Sequence, residues 1–282
     1  MDKSIIVLDI DDIGIYIGTD YCTLKGFTID GDSQVDDTYP LINIHSCDHI
    51  VIEDIEVENA GSCGINLYRV NHSSLQNIYA HDNYEHGVHS GAFGITGRNM
   101  YNTYRDIYCW DNNDNGFDDF GNGIDVEQYN VYDNLQCWDN GKLGIAMCNQ
   151  KSGVLSNSFA SGNGEDGIYL NAIEDFSINS CLVTLSTERG IVMYASENIN
   201  FTNVIVKNNG RGIALNGCIN IALTTCQSYD DRETPLQLYG IELYGTNTGI
   251  SLLNCKLTPN KEGEIYNPAG VVIAEKKSCP SI

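Results

Sequence analysis

Residues 144–170, GIAMCNQKSGVLSNSFASGNGEDGIYL, contain two copies of a Gly–apolar pair that recurs through most of the chain. Between successive pairs lies a second alternating segment ending in Asn or Asp, such as residues 107–111, Ile-Tyr-Cys-Trp-Asp. Short alternating segments separated by Gly and Asn predict stacked coils of two or three β-strands each. The recurring pairs are Gly64-Ile65, Gly87-Val88, Gly116-Phe117, Gly144-Ile145, Gly167-Ile168, Gly190-Ile191, Gly212-Ile213 and Gly240-Ile241.

The repeat predicts an all-β fold, namely a right-handed parallel β-helix (solenoid) of about ten coils. The chain has 5 Pro and no long 3.6-residue periodicity, which excludes helices between the strands and therefore a doubly wound fold. A β-propeller would need units of about 40 residues or more. We expect one domain over residues 1–282, in which 259–282 depart from the repeat and cap the C-terminal end.

Composition restricts the possible partners. Fifteen Lys+Arg against 38 Asp+Glu give a net charge of −23, so nucleic acid and anionic membranes are excluded, and a polyanionic glycan would need a bridging cation. No apolar run is long enough to span a membrane. Residues 1–4 do not begin a signal peptide, so we expect a trimmed start of an extracellular or cell-surface protein. The oligomeric state stays open.

The chain has 11 Cys, an odd number, and none of them lies in a zinc-type CxxC pair. Several occupy corresponding inward positions of the repeat, where a thiol packs as a small hydrophobic group. We therefore expect buried free thiols rather than a disulfide framework. These cysteines are Cys109, Cys137, Cys181, Cys226 and Cys255.

Strand alternation assigns the residues after each repeat glycine to the two sides of a sheet. The first faces the core, the second faces outward, and the third should face inward again. The third position is polar at Ser90 and Asp119, in the two long coils. An ionised carboxylate in a core costs on the order of several kcal/mol unless it is paired. Either the strand ends at Asp118 and Asp119 turns outward, or a partner compensates for Asp119.

Polar and aromatic residues concentrate on these same coils. With coils about 4.8 Å apart, His89 should lie beside Asp118, and Asp114 near Lys142. Segments 91–100 and 121–128 are the extra residues, and they predict loops that wall a groove. The expected ring stacks are Tyr79–Tyr108 and His81–Trp110–Trp138. The predicted substrate-binding residues are Trp110, Trp138, Tyr108 and Arg105.

Each of these features also has a purely structural interpretation. The column Asp82, Asp111 and Asp139 is typical of turns, or it binds metal. The Asp114–Lys142 pair is either a surface ion pair or part of a catalytic site. The tryptophan stack serves either packing between coils or the binding of a sugar ring.

The carboxylates near the Gly116 turn predict a Ca²⁺ site, because Ca²⁺ prefers several hard oxygen ligands; these are Asp114, Asp118 and Asp119. A bound Ca²⁺ would bridge to a uronate carboxylate and acidify the proton on the adjacent carbon. Elimination and C5 epimerisation both begin with removal of that proton by a base. The candidate catalytic residues are His89, Asp118, Lys142, His86 and Tyr84.

With its coils aligned, the whole chain resembles the pectate-lyase-like superfamily of right-handed β-helices, a likeness of fold that carries no activity by itself. Residues 114–118, Asp-Asn-Gly-Phe-Asp, resemble the Asp-Asp-Gly-aromatic-Asp calcium motif of family 9 polysaccharide lyases. That resemblance implies Ca²⁺, a further Asp ligand on the preceding coil and a lysine base on a following coil. The chain departs from the motif at Asn115 (second Asp), His89 (preceding-coil Asp) and Ala146 (lysine).

Two further resemblances are local. Residues 84–89, Tyr-Glu-His-Gly-Val-His, are similar to the Tyr- and His-bearing catalytic segment of mannuronan C5-epimerases, without its Asp-Pro-His. Polygalacturonase-type hydrolases use an Asp-Asp pair and a Gly-His-Gly. Asp118-Asp119 is compatible with the pair, and no matching Gly-His-Gly is present.

Three functions stay open. The first is a polyuronate lyase or C5-epimerase that uses Ca²⁺ and a His89 or Lys142 base. The second is a glycoside hydrolase that uses a carboxylate pair, Asp118 with Asp119 or Asp114. The third is a non-catalytic glycan-binding or structural surface repeat that uses the Trp110 and Trp138 platform.

Overall fold

The computed structural model describes residues 4–7, 14–32, 39–91, 99–121, 127–268 and 270–278. All regular elements in these ranges are β-strands, as the short alternating segments predict. The strands are β1 (Ser4–Val7), β2 (Ile15–Ile17), β3 (Thr23–Asp30), β4 (Ile42–Asp48), β5 (Val51–Glu58), β6 (Ile65–Asn71), β7 (Ser74–His81), β8 (Val88–Gly91), β9 (Thr103–Trp110), β10 (Phe117–Phe120), β11 (Glu127–Gln128), β12 (Val131–Trp138), β13 (Ile145–Cys148), β14 (Gln150–Lys151), β15 (Val154–Ser156), β16 (Phe159–Ser161), β17 (Ile168–Asn171), β18 (Glu174–Asn179), β19 (Leu182–Thr184), β20 (Arg189–Tyr194), β21 (Glu197–Thr202), β22 (Ile205–Lys207), β23 (Arg211–Asn216), β24 (Ile219–Thr224), β25 (Gln227–Tyr229), β26 (Tyr239–Tyr244), β27 (Ile250–Cys255), β28 (Gly263–Tyr266) and β29 (Ile273–Ser278).

The strands form two long parallel sheets along the solenoid axis. Among the described residues one sheet has 18 strands, and the other has 11 strands in the order β2-β4-β6-β8-β10-β13-β17-β20-β23-β26-β28. The residue after each repeat glycine pairs with its counterpart one coil away, as Phe117 does with Val88 and Ile145. The predicted right-handed parallel β-helix is confirmed.

The interior follows the predicted alternation, including the two polar positions. Asp119 is fully buried on the inward side of β10, and the Tyr132 hydroxyl donates a hydrogen bond to its Oδ2 at 2.5 Å. Ser90 is likewise buried and lies 2.8 Å from the Tyr104 hydroxyl. The strand therefore does not end at Asp118, and a hydrogen-bonding partner compensates for the buried carboxyl of Asp119.

Turns between the two sheets use residues with left-handed backbone conformation. Asp82, Asp111 and Asp139 have φ of 54°, 52° and 54°, a region that Asp and Asn tolerate better than most residues. The turn interpretation of this column is confirmed. The next residue in each coil is a buried Asn, and the amide of Asn112 donates to Asn140 at 2.9 Å. This amide ladder satisfies buried polar groups where the chain changes direction.

The cysteines behave as predicted. The described residues include ten free thiols, nine of them buried. Cys109 of β9 and Cys137 of β12 occupy equivalent positions on neighbouring strands and face the core as free thiols. Burial raises the pKa of the Cys109 thiol well above its usual range. Such thiols act as packing groups rather than as nucleophiles.

The last described strands extend both sheets. β28 pairs in parallel with β26, and β29 with β27, where the register shifts twice. Whether 259–282 cap the solenoid stays a prediction. Within the described ranges, no helix is both long enough and apolar enough to cross a membrane.

Asp230 fixes the segment that follows β25. It is fully buried, and its carboxylate accepts hydrogen bonds from Arg232 and from the backbone N–H groups of Leu236 and Gln237, at 2.6 and 2.7 Å. Burial alone would raise the pKa of Asp230, but these donors outweigh it and hold the pKa well below the usual range.

Asp230→Asn is expected to lower the free energy of unfolding by about 2 kcal/mol near neutral pH, because charge-assisted hydrogen bonds are lost. The folded-state pKa lies below the unfolded value of about 3.9, so the contribution of Asp230 is present above that pH and is lost as pH falls further. Thermal unfolding of both proteins between pH 2.5 and 7 measures this. A difference between them that did not shrink below pH 4 would contradict the prediction.

Candidate functional site

His89 and Asp118 form a buried pair on the outward side of the 11-stranded sheet. They are paired in register on β8 and β10, so the stacking of two coils places one above the other. His89 Nδ1 lies 2.7 Å from Asp118 Oδ2, and the two residues are only 2% and 1% exposed. The predicted contact is present, although both residues are far more buried than their outward position suggests.

His86 completes a group of three. Its ring stacks on His89 with centroids 5.4 Å apart, and its Nε2 lies 3.7 Å from Asp118 Oδ2. The backbone N–H of Asn115 donates to His86 Nδ1 at 3.3 Å, so a neutral ring carries its proton on Nε2, toward Asp118. Burial lowers the pKa of His86 and so favours this neutral form. The negative charge of Asp118 acts in the opposite direction and raises that pKa.

Asn115 occupies the position that the lyase-type motif gives to a second Asp. Its amide Nδ2 donates to Asp118 Oδ1 at 3.4 Å, while its Oδ1 accepts the backbone N–H of Leu143 at 3.2 Å. A second carboxylate here could not donate to Asp118. The substitution therefore supports a hydrogen-bonded Asp118 rather than a cluster of negative charges.

The geometry fixes how the pair can act chemically. A carboxylate at 2.7 Å from Nδ1 holds the proton on that nitrogen, so the neutral ring of His89 has its lone pair on Nε2. An imidazole held in this tautomer can accept a proton from a substrate, and Asp118 then stabilises the imidazolium. The arrangement is suited to general-base chemistry.

Lys142 does not fit the role of a base. Its side chain is 53% exposed, and Nζ lies 2.5 Å from Asp114 Oδ1. The hydrogen bond with Asp114 raises the pKa of Lys142, so the amine is protonated at neutral pH. The surface ion-pair interpretation is therefore correct for this pair.

One of the three predicted calcium ligands, Asp119, is separated from the other two. Asp118 lies on the outward side of β10, Asp119 points into the core toward Tyr132, and Asp114 contacts Lys142. Because Asp119 faces the opposite side of β10 from Asp118, the three side chains cannot surround one ion together, as the motif implies. Within the described residues, the group able to hold a metal is His86, His89 and Asp118, whose ligand atoms lie within 4.8 Å of one another.

The predicted substrate-binding aromatics lie on the other sheet. Trp110 stacks on Trp138 with centroids 5.0 Å apart and on His81 at 4.1 Å, and Tyr108 stacks on Tyr79 at 4.9 Å. These stacks are confirmed, but they belong to β7, β9 and β12 of the 18-stranded sheet, whereas His89 and Asp118 belong to the 11-stranded sheet. The same coils thus carry two separate patches rather than one.

The other predicted residues lie at the surface. Tyr84 is 50% exposed at the turn before β8, and Arg105 Nε lies 3.6 Å from Asp133 Oδ2. The segments predicted to form the groove are 91–100 and 121–128. Most of their residues, 92–98 and 122–126, lie outside the described residues. The sequence interpretation did not identify Tyr132, and it noted Asn115 only as a departure from the calcium motif. The available signal for Tyr132 was a tyrosine at an inward position directly across the core from Asp119.

The fold is similar to that of several solved structures. The A-module of the Azotobacter vinelandii mannuronan C-5 epimerase AlgE4 superposes with a TM-score of 0.70 at 15% identity, over 96% of this chain and 81% of that chain. The periplasmic alginate epimerase AlgG gives 0.56 at 10% identity, over 89% and 74%. The Agl-KA catalytic domain gives 0.59 at 15% identity, over 93% and 61%. At these identities the similarity shows the fold alone.

Sequence comparison identifies a family. No curated protein matches the chain. Residues 42–225, more than half of the chain, match the family model described as "NosD: Periplasmic copper-binding protein". This range runs from β4 to β24 and includes the buried His86, His89 and Asp118. The chain therefore belongs to the NosD family of β-helix proteins.

Proposed function

We propose that this protein is a carbohydrate-active β-helix enzyme that removes the proton next to the carboxylate of a uronate in an acidic polysaccharide. The observation that carries the proposal is the buried His89–Asp118 hydrogen bond of 2.7 Å on the outward side of the 11-stranded sheet. Two of the superposed structures, AlgE4 and AlgG, are named as epimerases of mannuronan and alginate, which supports this substrate class.

In the proposed reaction His89 Nε2 accepts the C5 proton of the uronate, and the electron pair of that C–H bond moves toward the carboxylate group. Asp118 stabilises the imidazolium through Nδ1–H. Expulsion of the C4 oxygen, which takes up a proton from water, then completes elimination. Transfer of a proton from water to the opposite face of C5 instead completes epimerisation. Tyr84 stays a predicted alternative base. The predicted contacts for the polymer are still Trp110, Trp138, Tyr108 and Arg105.

Calcium is not part of this proposal, because Asp119, one of the three carboxylates predicted to hold it, points into the core toward Tyr132. The hydrolase alternative with Asp118 and Asp119 is also disfavoured. The two side chains leave β10 on opposite sides, and the inward one is fully buried, so they cannot flank one glycosidic bond. A periplasmic or extracellular location is proposed from the descriptions of the NosD family and of AlgG.

A panel of polyuronates, including pectate and alginate, tests the reaction. We expect either a rise in the ultraviolet absorbance of unsaturated uronate, which indicates elimination, or an altered epimer ratio by NMR without that absorbance. Because the proposed proton transfer uses His89 and Asp118 without calcium, the rate should be unchanged by chelator. Retention of the glycan without any product would favour the non-catalytic binding alternative, and saturated reducing ends would favour hydrolysis.

Copper binding is the second candidate function. It is supported by the description of the NosD family and by three buried ligand atoms, two of them imidazole nitrogens, within 4.8 Å of one another. Imidazole is a good ligand for Cu²⁺, and a carboxylate completes a mixed nitrogen and oxygen set.

A further inference from the structure

Two arginines lie on neighbouring strands of the 11-stranded sheet, on the outward side that also carries the His89–Asp118 pair. Arg189 of β20 and Arg211 of β23 are paired in register, so the stacking of coils places one beside the other. Their positions are equivalent, but their contacts differ. This difference indicates which of the two can bind a ligand.

Arg189 is fully engaged by neighbouring side chains. Its Nε and one terminal nitrogen donate to the two carboxylate oxygens of Asp166, at 2.8 and 3.0 Å. The other terminal nitrogen donates to the Tyr194 hydroxyl at 2.8 Å, and Glu188 accepts a further hydrogen bond at 3.2 Å. Asp166 is only 2% exposed, so this arrangement is a fixed part of the sheet surface. A ligand would have to displace these contacts to reach the Arg189 guanidinium.

Arg211 has the same place on the next strand but is held more loosely. Its side chain is 43% exposed, against 21% for Arg189. Its ion pair with Glu242 is made through Nε at 3.7 Å, a separation longer than a hydrogen bond. A guanidinium binds a carboxylate best through two parallel hydrogen bonds, and its two terminal nitrogens can form them. Arg211 is therefore suited to bind a carboxylate that arrives from solution.

The carboxylate of Glu242 holds Arg211 without occupying it. Glu242 is 1% exposed, and its Oε2 accepts a hydrogen bond from the Tyr244 hydroxyl at 2.9 Å. Burial and this hydrogen bond raise the pKa of Tyr244 to about 12, so the hydroxyl keeps its proton and continues to donate. The negative charge of Glu242 is thus shared between a hydroxyl donor and the Nε side of Arg211.

We propose that Arg211 binds a carboxylate of the polyuronate chain at a distance from the reacting sugar. This inference rests on the proposed function, because it takes His89 as the base. β10, which carries Asp118, and β23 are four strand spacings apart in the 11-stranded sheet, or about 19 Å. An extended polyuronate that runs along the solenoid axis advances by about one sugar residue per coil. Arg211 would therefore meet the carboxylate about four or five residues away from the one that reacts.

Oligouronates of increasing length test this subsite. We expect kcat/KM of the native chain to rise with length up to about six residues, the length that reaches from His89 to Arg211. Arg211→Gln should lower kcat/KM about 10-fold on oligomers longer than this and leave shorter ones unchanged, because the charge-assisted hydrogen bonds form only with the long ones. Arg211→Lys should recover only part of the loss, since an ammonium group cannot form the paired contact. Thermal unfolding confirms that both variants fold.

Lys25→Gln is the matched control. Lys25 is another exposed cation beside a carboxylate, with Nζ 2.9 Å from Glu53 Oε2 and 53% of its side chain exposed, but it lies on β3 of the 18-stranded sheet. Its substitution should leave kcat/KM unchanged at every length. An equal loss on short and long oligomers in Arg211→Gln, or the same length-dependent loss in Lys25→Gln, would overturn the subsite.

Binding without turnover separates this inference from the proposed function. Calorimetry in the Asp118→Asn background gives the Kd of a long oligouronate, which Arg211→Gln should raise about 10-fold. The Kd of its methyl ester, which lacks the carboxylate charges, should not depend on Arg211, and an equal effect on the ester would contradict the subsite. The expected charge-dependent loss, in a protein whose native form turns over no polyuronate, would support the subsite and contradict the enzymatic proposal. Turnover that is insensitive to Arg211 at every length would do the reverse.

Discussion

Asp118→Asn is expected to lower kcat on a polyuronate by about 10²- to 10⁴-fold, with little change in KM. The substituted amide can present its NH₂ group to His89 Nδ1, which favours the tautomer with the proton on Nε2 and removes the base. The imidazolium also loses its counter-charge at 2.7 Å. Initial rates on the active substrate measure the effect, with circular dichroism as the test of folding.

Asp111→Asn provides the matched control for this variant. It removes the same charge from the same coil, but Asp111 is a surface turn residue with φ of 52°, a conformation that Asn adopts readily. Its turnover should equal that of the native chain. If Asp118→Asn kept more than about a third of the native kcat, His89 would not be the base that Asp118 orients.

Tyr132→Phe is expected to lower the free energy of unfolding by about 3 kcal/mol. The Tyr132 hydroxyl lies 2.5 Å from Asp119 Oδ2 in the solenoid interior, where both residues have no exposed surface. Removing the donor leaves a buried carboxyl without this hydrogen bond, and the cost is largest when the remaining group is charged. Equilibrium unfolding in urea measures the change.

Tyr104→Phe is the control for Tyr132→Phe, because the two rings stack in the same core column at 5.2 Å. The Tyr104 hydroxyl lies 2.8 Å from the neutral Ser90 hydroxyl, so its loss should cost only about 1 kcal/mol. Adding Asp119→Leu to Tyr132→Phe should recover part of the lost stability. Equal effects of the two single substitutions would mean that the Asp119 carboxyl is not what makes Tyr132 important.

The sequence by itself determined the architecture, because the period of Gly–apolar pairs and the strand alternation are local properties repeated in every coil. It also determined which residues share a column, so the contacts His89–Asp118 and Trp110–Trp138 and the turn role of Asp111 followed from counting along the chain. Coil stacking turns equivalent positions into neighbours, and no knowledge of the rest of the molecule is needed for that step.

The tertiary structure decided what these neighbours can do. Counting along the chain cannot show whether Asp119 turns out or in, since that depends on the Tyr132 hydroxyl across the core. Nor does it decide whether the Asp114–Lys142 pair is a surface ion pair or part of a catalytic site. It also does not show that the tryptophans and the His89–Asp118 pair lie on different sheets. Burial, the tautomer of an imidazole and the partner of a charge depend on atoms from several segments at once. The chemistry of the site is therefore set by three-dimensional packing, whereas the fold is set by the repeat.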